Sequence, residues 1–137
     1  MTAWGGISTL GLGFSLLYTE AQKRGIRLPS LISWTAIKTA EHAGLAKRKG
    51  RIAVGYDADF GVWDLEATFE VRSVSMAMPD ASHIGPQVTK ESLQFKNKLS
   101  PYVGLTLQGV VMKTYLRGEI VYERSSGFVR KPTGIFV

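Results

Sequence analysis

The chain has 137 residues, of which 45% are apolar, so it is long enough to bury one hydrophobic core. It contains no cysteine, which excludes disulfides and thiolate metal sites and is typical of a cytoplasmic protein. The net charge of +6 comes from short, scattered clusters of lysine and arginine without interleaved aromatic residues, so we expect no nucleic-acid partner. No apolar run approaches the ~20 residues of a membrane span, and we expect no membrane association.

Helical signals occupy the first third of the chain. The glycines of Gly5–Gly13 predict a loop, and the residues after it predict a helix whose basic last turn ends before Gly25. Ser30 follows a proline and is predicted to cap a second helix. A third, short helix is expected over Thr39–Leu45, ending at Gly44.

The period of the apolar residues changes from helical to two after Arg51, which predicts short strands separated by turns. Arg117–Gly118 predicts the turn of a hairpin between the last two strands. Residues 73–88 lack periodicity and are expected to be an inserted surface loop or a disordered segment. The predicted strands are Phe60–Trp63, Thr68–Val71, Gly109–Leu116 and Glu119–Glu123.

Three motifs together resemble one enzyme family. They are Gly55–Asp64 (GYDADFGVWD), Ala3–Ser8 (AWGGIS) and Lys96–Tyr102 (KNKLSPY). The chain resembles the C-terminal end of the allantoinases, which stand with the dihydropyrimidinases and dihydroorotases among the cyclic-amide hydrolases of the metal-dependent amidohydrolase superfamily. The resemblance covers residues 3–72 and about 93–134, and the AWGGI residues favour allantoinase within that group.

The resemblance implies an α/β fold: the C-terminal fragment of a TIM-barrel amidohydrolase, followed by part of an accessory β-sandwich. Residues 1–48 would be the remnant of the barrel, with its last helices, and residues 49–137 the β-sandwich portion. The implied activity is hydrolysis of the hydantoin ring of allantoin to allantoate in purine catabolism. The family enzyme uses a divalent metal, zinc in the expected case, acts on a small-molecule substrate and is expected to be a homo-oligomer.

The metal ligands of that family have no counterpart in this chain. The family uses a His-x-His pair, further histidines, a bridging carboxylated lysine and an aspartate, whereas the only histidines here are His42 and His83. We therefore predict no catalytic and no metal-binding residue in this chain, and no activity from it alone. In the allantoinase pattern the aspartate lies just upstream of AWGGI, so we expect it to precede Met1.

Gly55 predicts a turn, in which aspartates are expected to bond backbone amides; these are Asp57, Asp59 and Asp64.

A substrate contact is the one site function that the resemblance assigns to residues present here. Gly5 and Gly6 align with a loop whose backbone holds the ring amide in related hydantoin-type hydrolases. Glycine permits such a close approach, although both residues could simply make the turn into the first helix.

The aromatic residues and the KNKLSPY motif favour architecture over catalysis. Tyr102 and Gly104 resemble a packing loop of the family, and the three tryptophans are expected in a core or an interface. The tryptophans are Trp4, Trp34 and Trp63.

Two other interpretations remain open at this point. The chain could be a non-catalytic truncated product or interaction remnant, or it could belong to a hydrolase of the dihydropyrimidinase or dihydroorotase type. A self-standing β-rich binding module would have to close a core with the strands after Arg51 alone. In the family the β-sandwich also takes strands from the N-terminus, so we expect this piece to expose a sheet edge and apolar surface.

Overall fold

The computed structural model describes residues 6–71 and 100–134. In chain order it has helix α1, helix α2, a π-helical turn, helix α3 and four strands. The strands form one antiparallel sheet in the order β1-β2-β3-β4. The predicted insertion at 73–88 lies outside the described residues. The bounds are α1 Gly13–Lys23, α2 Leu28–Ile32, the π turn Ser33–Ile37, α3 Lys38–His42, β1 Phe60–Glu70, β2 Thr106–Leu116, β3 Glu119–Glu123 and β4 Gly127–Phe128.

The end of α1 was predicted correctly. Gly25 has a φ of +64°, and its N–H donates to the carbonyl of Gln22. The next amide, of Ile26, donates to the carbonyl of Ala21 at 2.9 Å. These two bonds satisfy carbonyls of the last helical turn, and the left-handed residue that they require is most easily a glycine.

The second helix begins earlier than its predicted cap, so the prediction for Ser30 was wrong. α2 begins at Leu28 after the extended residue Arg27, with a proline in its first turn and no side-chain cap. Proline fits there because its φ is already helical and its missing N–H would have no partner inside the helix. Ser30 therefore lies inside the first turn.

The two helices expected after Gly25 form one continuous helical segment, which we call the helical segment, Leu28–His42. A π turn joins α2 to α3, and no sequence pattern predicted it. The segment ends as expected beside Gly44, which has a φ of +73°. Among the described residues no helix is long and apolar enough to cross a membrane.

Strand β1 joins the two predicted strands Phe60–Trp63 and Thr68–Val71 through a bulge. The register with β2 shifts between Asp64 and Thr68, where the intervening residues face a single residue of β2. Asp64 Oδ1 accepts the N–H groups of Glu66 and Ala67, each at 3.0 Å, which confirms the expected backbone-bonding role of this aspartate. The bulge keeps one strand continuous because its polar backbone groups find partners.

The hairpin between β2 and β3 has its turn at Arg117–Gly118, as predicted. Both residues have positive φ, +51° and +80°, as a two-residue turn of the I′ type requires. β2 begins at Thr106, earlier than expected, and the short strand β4 was not predicted.

Helix α1 is bonded directly to the middle of β2. Ser15 Oγ donates to the carbonyl of Gly109 at 2.6 Å, and Thr19 Oγ1 accepts the N–H of Gln108 at 2.8 Å. Gly109 has a φ of +86°, and a Cβ placed on it would lie 3.1 Å from Tyr18 Cδ1. The helix therefore approaches β2 at a point where only a glycine fits without strain.

Two apolar clusters flank this contact. The first joins the start of α1 to β1 and β2, and the second joins α1 to α2. The buried members of the first are Leu12, Phe69, Val71, Leu107 and Val110, and those of the second are Tyr18, Ala21 and Leu31. α1 thus contributes to both cores and connects α2 to the sheet.

The sheet has the exposed edge and the exposed apolar side chains that the sequence predicted. β1 lies at one edge of the sheet, and its residues Phe60 and Val62 are 37% and 43% exposed. In the loop before it, Ile52 is 93% exposed and Val54 is fully exposed. The strands after Arg51 do not bury all of their apolar side chains by themselves.

An ion cluster attaches the loop before β1 to the sheet. The Lys49 ammonium contacts Asp57 Oδ2 at 2.9 Å and also pairs with Asp59, while Arg48 bonds Asp57. Asp59 Oδ1 accepts the N–H of Arg117 at 2.7 Å. The prediction of local backbone bonding was therefore wrong for Asp57 and wrong in its partner for Asp59, which bonds an amide far along the chain. Both aspartates compensate lysine and arginine residues of the basic cluster at 47–51.

We predict that Gly109→Ala destabilises the fold more than Gly104→Ala does. Both glycines have a φ of +86°, but an added Cβ meets nothing within 4 Å at Gly104 and meets Tyr18 at Gly109. Strain at positive φ costs about 1 kcal/mol at either position, and displacement of Tyr18 adds to it, giving a total of about 2 kcal/mol at Gly109. Urea unfolding monitored by circular dichroism gives both values, and equal losses would contradict the close approach.

We also predict that the stabilising effect of the ion cluster disappears in acid. Hydrogen bonds from Lys49 and then Arg48 lower the pKa of Asp57 below its ordinary value of 3.8, and Lys49 lowers the pKa of Asp59 in the same way. Because both carboxylates are more acidic in the folded state, their contribution is complete above pH 3.8 and declines as the pH falls through the lowered folded values.

Melting temperatures of the chain and of Asp57→Asn test this statement. The variant should melt at a lower temperature between pH 5 and 7. The difference in melting temperature between the chain and the variant should become smaller below pH 3.8. It should also become smaller at pH 7 in about 1 M salt, which screens interactions between charges more than about 3 Å apart. A difference of constant size down to pH 3 would show that the aspartate does not act through its charge.

Candidate functional site

The glycine loop before α1 is the part of the chain to which the sequence assigns a substrate contact. Gly6 is exposed, has a φ of +103°, and would place an added Cβ in open space. Gly5 lies outside the described residues. The backbone at Gly6 is therefore accessible in a conformation that other residues rarely adopt.

The loop is held at its far end. The Ser8 carbonyl accepts a hydrogen bond from Ser100 Oγ at 2.7 Å, and the N–H of Leu12 donates to the carbonyl of Thr9 at 2.7 Å. Ser100 is buried and is the link between the loop and the turn that precedes β2. These bonds fix the chain just after Gly6 and leave Ile7 63% exposed.

Tyr102 has the structural role that the sequence predicted. Its side chain packs against the Leu12 cluster, and its N–H bonds Ser100 Oγ at 3.3 Å. Gly104, with a φ of +86°, donates its N–H to the carbonyl of Val71 at 2.7 Å. The cations of the same motif, Lys96 and Lys98, lie outside the described residues.

Two concavities lie beside the loop and the sheet. One is an apolar hollow of about 430 Å³ between the start of α1 and strands β2 to β4. The other is an open groove of about 910 Å³ between the helical segment and β1, bordered at one end by Lys49 and Asp59. Trp63 lines both concavities.

The tryptophans follow the sequence prediction only in part. Trp63 is half-buried, and its ring centroid lies 4.3 Å from that of Phe14, which places it in the packing between α1 and β1. Trp34 is 53% exposed on the π turn, so it lies outside the core of the described residues, and its expected place in an interface stays a prediction. Trp4 lies outside the described residues.

The residues that the structure describes do not form a metal site. His42 is exposed on α3, as expected, and His83 lies outside the described residues. Over residues 6–71 and 100–134 there is no group of three histidine, cysteine, aspartate or glutamate side chains that could hold a metal ion. Asp57 and Asp59 come together, but their oxygens are bonded to Lys49, Arg48 and the Arg117 amide. The donor set therefore does not fit the divalent metal that the family resemblance implies.

The described residues can thus offer a ligand backbone groups of the glycine loop and apolar surface, but no acid, base or nucleophile positioned for chemistry. The ion cluster, which borders the groove, was missed at the sequence level. The paired charges lie about ten residues apart in a loop and show no periodicity, and the partner amide at Arg117 lies in the distant turn between β2 and β3. No local sequence pattern could therefore have predicted the ion cluster or its bond to the amide of Arg117.

The sequence model of the Amidohydrolase family matches residues 7–121. Among curated proteins, the chain is 36% identical over 132 residues to an allantoinase of Saccharomyces cerevisiae and 37% identical over 138 residues to allantoinases of Escherichia coli. These alignments cover 96% and 100% of the chain, which spans only 24% and 26% of the length of those relatives.

Solved structures give the same relationship. The chain is similar to the dihydropyrimidinase from Brevibacillus agri, with a TM-score of 0.65 and 27% identity over 85% of this chain and 22% of that one. It is similar to the D-hydantoinase from a Thermus species, with a TM-score of 0.64 and 27% identity over 86% of this chain and 22% of that one. From the family match over residues 7–121 and these likenesses, the chain belongs to the amidohydrolase family.

Proposed function

We propose that this chain is part of an allantoinase-type hydrolase that opens the hydantoin ring of allantoin to give allantoate. The observation that carries the proposal is the 36–37% identity to allantoinases over 96–100% of the chain. The solved structures named for hydantoins and dihydropyrimidines support the wider class, hydrolysis of a cyclic amide.

In this proposal residues 1–48 continue the last helices of a TIM barrel and residues 49–137 contribute to an accessory β-sandwich, with an insertion at about 73–88. The order of elements supports it, because all described helices precede residue 43 and all described strands follow residue 59. The exposed edge of β1 supports the addition of further strands to the sheet.

The divalent metal of the intact enzyme, zinc in our proposal, would be held by residues other than those described here. It would polarise the amide carbonyl and supply a water of lowered pKa. This chain alone is proposed to be inactive, because its donor set does not fit that metal. The proposed location is the cytoplasm, and the exposed apolar side chains of β1 favour assembly into a homo-oligomer.

The contribution of this chain to substrate binding would come from the backbone of Gly5 and Gly6. The open space around Gly6 and its φ of +103° leave its peptide groups free to approach a planar ring. The bond between Ser8 and Ser100 holds the loop that presents them.

A chimeric enzyme tests the proposed activity. We expect that an Escherichia coli allantoinase whose matching stretch is replaced by this chain hydrolyses allantoin, with kcat/KM reduced by no more than about 100-fold through imperfect positioning. Allantoate release is measured directly, with dihydrouracil and hydantoin as competing substrates, and with the 137-residue chain alone as the inactive control.

Three results would contradict the proposal. A folded, metal-loaded chimera that prefers dihydrouracil would favour a dihydropyrimidinase-type enzyme instead. A folded chimera without activity on any of the three substrates would favour a non-catalytic remnant. Turnover of allantoin by the isolated chain, free of host enzyme, would show that a metal site has been overlooked.

The glycine contact gives a second prediction in the same chimera. Gly6→Ala should raise KM for allantoin about tenfold, because the added Cβ and the strained φ move the peptide group from its contact. Gly11→Ala is the matched control, since Gly11 also has positive φ, +83°, and open space around it. Equal effects of the two substitutions on KM would assign them to backbone strain and not to substrate binding.

A further inference from the structure

The groove between the helical segment and β1 is a gap between two elements that hardly touch. α2 packs on α1, but no strand in the described part of the chain makes an extensive contact with the π turn or α3. The space between them is the open groove of about 910 Å³. The position of the π turn and α3 must therefore be set by contacts other than direct packing against a strand.

One attachment is made by Gly50. It has a φ of +88°, and an added Cβ would lie 2.8 Å from the carbonyl oxygen of Ala36 and 2.8 Å from Ala40 Cβ. The backbone at Gly50 therefore lies directly against the π turn and α3. No other residue could occupy this position without moving the loop away from the helical segment.

The neighbouring residue makes the attachment to the sheet. The side chain of Lys49 is 25% exposed and pairs with Asp57 and Asp59, whose side chains are 22% and 24% exposed. Asp59 in turn accepts the N–H of Arg117, and the N–H of Gly118 donates to the carbonyl of Ala58 at 2.9 Å. Lys49 is thus connected, through Asp59, to the turn between β2 and β3.

We propose that Arg48–Gly50 is a tie that joins the helical segment to the β2–β3 turn and sets the opening of the groove. Gly50 fixes one end by steric fit, and Lys49 fixes the other by charge-assisted hydrogen bonds to Asp57 and Asp59. When either end is released, the π turn and α3 move away from β1, while α2 stays packed on α1 and the two apolar cores stay intact. The tie limits the width of the groove, and the groove widens when the tie fails.

The absence of cysteine from the chain allows the groove to be measured with site-specific labels. His42→Cys on α3 and Val62→Cys on β1 place two spin labels at exposed positions on opposite sides of the groove. Double electron–electron resonance should give a single narrow distribution of the distance between the two labels in the chain that carries only these two cysteines. Lys49→Met and, separately, Gly50→Ala should each give a longer and broader distribution.

Each variant has a matched control in the same loop. Lys47→Met removes an exposed lysine outside the ion cluster, and Gly55→Ala alters a glycine with a φ of +86° that has open space around it. Both controls should leave the distance distribution unchanged. Lys49→Arg, which keeps the charge and can bond both aspartates, should restore the narrow distribution.

Amide hydrogen exchange gives an independent readout. In Lys49→Met, exchange at Gly118 should accelerate about tenfold, whereas exchange at Val71, which bonds the carbonyl of Leu105 at 2.9 Å, should not change. Parallel acceleration at both amides would indicate loss of global stability and would overturn the tie. Unchanged distances in both Lys49→Met and Gly50→Ala would overturn it as well.

If Lys49→Met does not fold, Gly50→Ala and Asp59→Asn probe the two ends separately, and an unchanged distance distribution in both would be decisive against the proposal. None of these measurements depends on hydrolysis. The tie can therefore fail while the proposed allantoinase function stands, and the reverse also holds.

Discussion

The contact between α1 and β2 at Gly109 is the constraint on which the rest of the structure depends. A helix can approach a strand this closely only where the strand has no side chain in the way and where the freed polar groups find partners. Gly109 meets the first condition. Ser15 and Thr19, one helical turn apart, meet the second by bonding the carbonyl of Gly109 and the amide of Gln108.

The bulge in β1 follows from the same contact. The regular pairing of β1 with β2 is interrupted between Asp64 and Thr68, opposite Gly109. The carbonyl of Leu65 is bonded by the side-chain amide of Gln108 at 2.8 Å, and Asp64 bonds the two amides that the ladder no longer uses. Three backbone groups of the irregular stretch thus have partners outside the ladder, and Leu65 packs against the cluster around Tyr18.

The sequence predicted those features that are encoded locally. The stop of α1 at Gly25 and the two-residue turn at Arg117–Gly118 depend on residues adjacent in the chain, and both were predicted correctly. The merging of two predicted strands into β1 was missed because the bulge depends on Gln108, which lies far away in sequence. The bond from the amide of Arg117 to Asp59 was missed for the same reason, since the two residues lie far apart in the sequence. For Ser30, a favourable capping residue was outweighed by the fixed φ of the proline before it.

The same distinction applies to the candidate site. The family resemblance points to Gly5 and Gly6 because their motif is contiguous, and their substrate contact stays a prediction, whereas the groove and its tie are made by residues far apart in the sequence. Both features depend on glycine: at Gly6 no described residue lies within 4 Å of an added Cβ, whereas at Gly50 two neighbouring atoms lie 2.8 Å from one. A substitution at Gly6 would change what the loop can contact, and one at Gly50 would change where the helical segment lies. Within the described residues, both features are therefore set by the position of the backbone and not by a reactive side chain.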